Sequence, residues 1–164
     1  MSDPRTIYLA DYQPFPFLLP QVALEFQLAP QATRVRARLA FQPNPARPGR
    51  HDLFLHGENL RAKVDGTAVQ PALDDSGMTI SAKDLPDGPF TLETEVEIAP
   101  EANTALEGLY MSKGMYCTQC EAEGFRKITY YPDRPDVMAR FRVRIEGDLP
   151  VLLSNGNPLG QGPG

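Results

Sequence analysis

The stretch CTQCEAEGFR, residues 117–126, gathers two thiols, an amide and two carboxylates into one short segment. Cys117 and Cys120 stand at CxxC spacing, which suits half of a zinc site or a dithiol that cycles with a disulfide. A structural zinc takes four ligands, and neither a second CxxC nor a histidine pair is present to complete the set. A redox dithiol is activated where it opens a helix, whereas the sequence around this one reads as β. Reduced, packing cysteines are therefore expected. Gln119, Glu121 and Glu123 are spaced by two and would share a face of an extended segment, aimed at solvent or at a ligand. On residue types alone, solvent is the plainer expectation.

His51 and His56 are the two histidines of the chain. Five residues apart on a strand, they point to opposite faces and cannot chelate one ion, so polar surface histidines are expected. The chain contains no HExxH, no Ser/His/Asp arrangement and no Gly-rich phosphate loop. Nothing in the residue types supplies a catalytic engine.

The elements that must position these residues follow from periodicity. Val22, Leu24, Phe26 and Leu28 alternate with polar residues, and Val35, Ala37, Leu39 and Phe41 alternate with Arg34, Arg36 and Arg38. Two half-buried strands joined across APQAT are predicted. Leu53 and Leu55 mark a short strand, and Asp65-Gly66 between Val64 and Val69 signals a hairpin. The turns DDSG and DLPDGP precede strands at Met78–Ile80 and Phe90–Ile98, and Phe141, Val143 and Ile145 alternate with Arg140, Arg142 and Arg144. At least six strands, with turn signals roughly every 8 to 12 residues, predict an all-β, antiparallel sandwich or open barrel. Seventeen prolines leave little room for helices. The helical exception is a short turn near 133–139, with Asp133 as cap, Pro135 in the first turn and Asp136 at the positive end.

Composition narrows the partners. Sixteen basic against 21 acidic side chains give a formal charge of −5, which disfavours nucleic acid because phosphate binding needs a basic footprint. The arginine faces at 34–38 and 140–144 are expected to meet the ladder Glu93, Glu95 and Glu97 in cross-strand ion pairs. The N-terminus carries no signal-peptide pattern and nowhere do 18 apolar residues run together, so a cytoplasmic protein without a membrane partner is expected. Length predicts one domain, residues 1–164. After the apolar run Val151–Leu153 the tail SNGNPLGQGPG gives no further strand and reads as an ending inside a larger polypeptide.

Three words of the sequence, NTALEGLY at 103–110, CTQCEAEGFRKITYYPDRPDV at 117–137 and LLSNGN at 152–157, resemble aminopeptidase N. IYLADYQPFPFLLPQVALEFQL and TRVRARL resemble the opening strands of that family. The similarity runs from about Ile7 to Asn157 and is nearest to the bacterial cytoplasmic branch. These enzymes are zinc metallo-aminopeptidases of the gluzincin family, the alanyl aminopeptidase type, which remove single N-terminal residues from peptides. The resemblance implies a saddle-shaped N-terminal β domain, here ending before its last strands. The thermolysin-like catalytic domain, with its HExxH, its further zinc-binding glutamate and its GxMEN loop, is expected elsewhere, because this sequence has none of those motifs.

Residue by residue, the resemblance maps onto TQCE. Glu121 matches the carboxylate that receives the free α-ammonium of the substrate, and Gln119 matches a residue lining the pocket for the first side chain. Glu123, Cys117 and Cys120 match no functional residue of the family, while Arg126, Tyr130 and Asp133 are expected to hold the segment's conformation. The implied cofactor is zinc in the parent enzyme, with none bound by this chain, and the chain alone is expected to be inactive. The implied partners are a peptide with a free N-terminus and the catalytic domain of the same polypeptide. A stand-alone β-sandwich interaction module is the alternative, and a thiol–disulfide protein using Cys117 and Cys120 a third reading.

Overall fold

The structure is a computed structural model that describes residues 8–58, 61–63 and 70–162. Strands β1 (Phe17–Gln27) and β2 (Thr33–Pro43) form the predicted antiparallel pair. Val22, Leu24 and Phe26 of β1 and Val35, Ala37, Leu39 and Phe41 of β2 are all buried, as period two requires. The connection is closed by Thr33, whose hydroxyl donates to Ala29 O at 2.7 Å and accepts from Ala29 N–H at 3.1 Å. Pro20 sits where the β1–β2 register shifts, between Leu18 and Gln21, and before pairing with the next neighbour begins at Gln21. No ladder bond is lost to its missing N–H there.

Strands β3 (Leu53–His56), β4 (Arg61–Lys63), β5 (Ala72–Asp74), β6 (Gly77–Ile80) and β7 (Phe90–Ile98) follow. The hairpin expected at Asp65-Gly66 lies outside the described residues. β8 (Gly108–Ser112), β9 (Met115–Gln119) and β10 (Arg140–Glu146) complete the set. A five-stranded sheet runs β10-β1-β2-β7-β4, a three-stranded one β3-β6-β5, and β8-β9 stand as a separate hairpin. No barrel closes among the described residues. The inner face of the large sheet, with Leu92 and Val96 of β7, shares one hydrophobic core with Leu53, Leu55, Met78 and Ile80 of the small sheet. The architecture is all-β and sandwich-like.

Thr94 of β7 lies in this core with a buried hydroxyl that has no hydrogen-bond partner. An unpaired buried hydroxyl costs about 1–3 kcal/mol, and valine has the same shape without it. Thr94→Val is therefore expected to raise stability by about 1 kcal/mol, measured as a higher urea midpoint at unchanged slope.

Two expectations change. β10 pairs with β1 in parallel, from Gln21↔Arg140 to Gln27↔Glu146, so the large sheet is mixed. Alternation reports which residues share a face and carries no information on strand direction. The helical turn near 133–139 is a single turn, closed by Val137 N–H donating to Arg134 O at 3.2 Å. Asp133 is drawn away from the cap by Arg126, and Asp136 pairs with Arg134 at 2.8 Å.

The position of β10 also divides the arginine faces. Arg34 and Arg36 meet Glu95, and Arg38 meets Glu93, as expected. The β10 arginines are separated from β7 by two intervening strands, β1 and β2, and do not face that ladder. Phe141 and Val143 stay exposed, because β10 forms the sheet edge, although their register partners Val22 and Leu24 are buried. Among the described residues, no helix is long and apolar enough to cross a membrane.

Candidate functional site

The segment 117–126 begins in β9 and leaves it at Gln119, whose strand partner is Gly108. The β8–β9 hairpin turns at Lys113-Gly114, both at positive φ (50° and 82°), the geometry of a two-residue turn that glycine tolerates without strain. That dipeptide between two short runs is a signal in the sequence for a hairpin that periodicity alone does not reveal.

From Cys120 the chain folds back in tight turns, with Gly124 N–H donating to Cys120 O at 2.9 Å, into the 3-10 turn Phe125–Lys127. The Glu121–Ala122 peptide is cis. Gly124 is needed here because a Cβ would lie 2.7 Å from Gln119 O and 2.9 Å from the Cys120 Cα. The expected extended face shared by Gln119, Glu121 and Glu123 is therefore absent. Strand pairing ends at Gln119, and close backbone packing turns the next residues away.

Arg126 fixes the loop. Its N–H and Nε both donate to Asp133 Oδ2, at 3.1 and 3.0 Å, and a terminal nitrogen donates to Glu123 Oε2 at 2.9 Å. Its carbonyl accepts from Glu58 N–H at 3.0 Å, tying the loop to the segment after β3. Lys127 bonds to Glu107 and approaches Glu58 at 3.8 Å. Ile128, Thr129, Tyr130 and Tyr131 are then buried, and burial together with the nearby Asp133 charge pushes the Tyr131 phenol up to about 12. The loop is thus seated on the core through its C-terminal half.

Glu121 is different from its neighbours. It is exposed and has no hydrogen bond or ion pair among the described residues, whereas Glu58, Glu107 and Glu123 each face Arg126 or Lys127. These four carboxylates and two cations line an open cleft of about 200 Å³. Four negative against two positive charges leave −2, an environment suited to a cationic group. Gln119 lies at the end of β9, exposed and outside that lining.

His56 departs from its expected place on the surface. It is half-buried and bridges to Tyr131, donating N–H to Tyr131 O at 2.9 Å and accepting Tyr131 N–H at 3.1 Å. The preceding apolar positions Leu53 and Leu55 are in the core, so β3 carries His56 directly to the base of the loop. Cys117 and Cys120 are free thiols, and Cys120 packs against the core. Burial, then the charge of Asp133, pushes the Cys120 thiol up, away from the thiolate that redox chemistry or metal binding needs.

The chain matches the model of the Peptidase M1 N-terminal domain over residues 24–162. It belongs to the M1 peptidase family. As an M1 N-terminal domain it is 49% identical over 167 aligned residues to aminopeptidase N of Caulobacter vibrioides, an alignment covering 97% of this chain and 19% of that protein. The chain thus spans about a fifth of the length of that curated relative. Its fold is similar to aminopeptidase A of Legionella pneumophila, solved in complex with aspartic acid (TM-score 0.78, 33% identity, 90% of this chain and 18% of that one). The fold is shared too by an M1 zinc metallopeptidase of Deinococcus radiodurans bound to a Tyr-Ser-Ala substrate, at TM-score 0.62 and 18% identity, over 79% of this chain and 32% of that one.

Among the described residues of this M1 domain no group of three or more His, Cys, Asp and Glu side chains is arranged to hold a metal ion, and burial pushes the Cys120 thiol up, away from the thiolate a metal would take. What the M1 domain presents is one unpaired carboxylate on a braced loop.

Proposed function

We propose that this domain serves a zinc aminopeptidase by holding the free α-ammonium of a peptide on Glu121, while Gln119 lines the pocket for the first side chain. The observation that carries this reading is the unpaired Glu121 carboxylate on a loop fixed by Arg126 and Asp133. An exopeptidase must count one residue from the N-terminus. A carboxylate held at a fixed place sets that register, because among the main-chain nitrogens of a peptide the free terminal amine alone donates with a full charge. The metal and the groups that cleave the bond belong, in this reading, to further polypeptide. The part played by this chain is orientation: it holds the substrate so that the first peptide bond meets those groups in productive geometry.

The test compares peptides that differ only at the amine. A polypeptide carrying this domain and its catalytic partner is expected to cleave a free dipeptide amide and to leave its N-acetyl form intact. Equal rates on both would overturn the reading. The 164-residue chain by itself is expected to release no nitroaniline from an aminoacyl-nitroanilide, measured by absorbance, and steady turnover by the pure chain would equally overturn it.

A further inference from the structure

We propose that His56, in its neutral form, is the positioning residue for the Glu121 loop and makes its geometry depend on pH. This rests on the reading of Glu121 given under Proposed function. Asp133 N–H is shared between two acceptors, Tyr131 O at 2.8 Å and His56 Nδ1 at 3.2 Å. A backbone N–H can only donate, so Nδ1 must keep its lone pair and the ring's proton lies on Nε2. With the two backbone bonds to Tyr131, this makes three bonds from His56 to residues 131–133. The Asp133 carboxylate so placed takes both the N–H and Nε of Arg126, and Arg126 reaches Glu123, two residues beyond Glu121. The chain of contacts therefore runs from one imidazole nitrogen to the loop that carries the candidate anchor.

Protonating Nδ1 would set two N–H groups against each other and add a cation beside Arg126. The charged groups acting on the ring are Arg126, Asp133 and Glu123, and the Phe54 ring packs edge-on at 5.0 Å between centroids. Burial first, and then the Arg126 charge, pull the imidazole below its ordinary value of 6.5, while Asp133, the Tyr131 backbone and Glu123 act in the opposite direction. The folded chain thus favours the neutral ring. The arrangement is fully stable above about pH 6.5 and loses stability as pH falls from there through the folded value.

The experiment follows backbone amide and imidazole resonances of the 164-residue chain from about pH 8 to pH 5. The His56 ring is expected to titrate with a midpoint below 6.5, and the amides of Asp133, Arg126 and Glu121 to move with that same midpoint. His56→Asn, whose side-chain oxygen can still accept from Asp133 N–H but does not titrate, should keep the high-pH positions and lose the transition. Flat Asp133 and Glu121 amides while the ring titrates would overturn the proposal, as would the same transition surviving in His56→Asn. No substrate is involved, so this outcome is separate from whether Glu121 anchors an ammonium. In the longer enzyme, KM is expected to rise below the same midpoint in the wild type and to stay level in His56→Asn.

Discussion

Glu121→Gln, in a polypeptide that joins this domain to its catalytic partner, is expected to lower kcat/KM by about ten- to a thousandfold, or about 1.4 to 4 kcal/mol of transition-state binding. Glutamine keeps the size and one acceptor oxygen of glutamate, and replaces the other oxygen and the charge by an NH2 donor. A hydrogen bond to a charged group is worth about 1.5 to 3 kcal/mol, and in a closed site an ammonium facing a neutral amide also bears its own desolvation. The loss should be confined to binding and orientation. Glu121 is exposed and touches no other described side chain by hydrogen bond or ion pair, so the melting temperature of the domain should stay near that of the wild type. Michaelis–Menten kinetics on a free-amine substrate, beside a thermal melt, separates the two effects. An unchanged kcat/KM would remove Glu121 from the site.

Asp133→Ala should do the reverse, costing stability first. Arg126 and Asp133 are only 15% and 11% exposed and share two bonds on a single carboxylate oxygen. Removing the acid leaves a largely buried guanidinium with the carbonyl of residue 133 at 3.3 Å, Glu123 at 2.9 Å and Glu58 at 3.9 Å. Breaking such a pair from one side costs about 3–5 kcal/mol. In a chain of 164 residues that corresponds to a melting temperature lower by roughly 10 °C. Because the same bonds brace the loop, kcat/KM of the longer enzyme should fall as well, through KM. A melting temperature within about 2 °C of wild type would show that the loop is held by the apolar burial of Ile128 to Tyr131 alone.

Much of the fold was legible because strands with one buried face write their geometry as period two. Val22 to Phe26, Val35 to Phe41 and Leu92 to Val96 alternate cleanly, and each set is buried as read. The pairing of Arg34, Arg36 and Arg38 with the β7 acids followed from the same alternation. The parallel direction of β10 was not legible, since reversal leaves an alternating pattern unchanged. The β8–β9 hairpin was missed because its runs are short and half-exposed, with Lys113-Gly114 the only local mark. Asp133 suited a helix cap by type, yet the backbone N–H and Nε of Arg126 together outcompete the capping of a single turn.

The amino-acid sequence by itself determined an all-β domain, its core residues and its membership of a peptidase family, because burial periodicity and long particular words are local properties of the chain. It also singled out Gln119 and Glu121 by resemblance to that family. Only the tertiary structure decided which acid stands unpaired. Glu58, Glu107, Glu121 and Glu123 are the same kind of residue in sequence, and distance alone assigns three of them to Arg126 and Lys127. The same holds for His56, a plain polar residue in a short strand until β3 brings its Nδ1 within 3.2 Å of Asp133 N. Residue type sets what a group can do, and long-range packing sets which partners it meets.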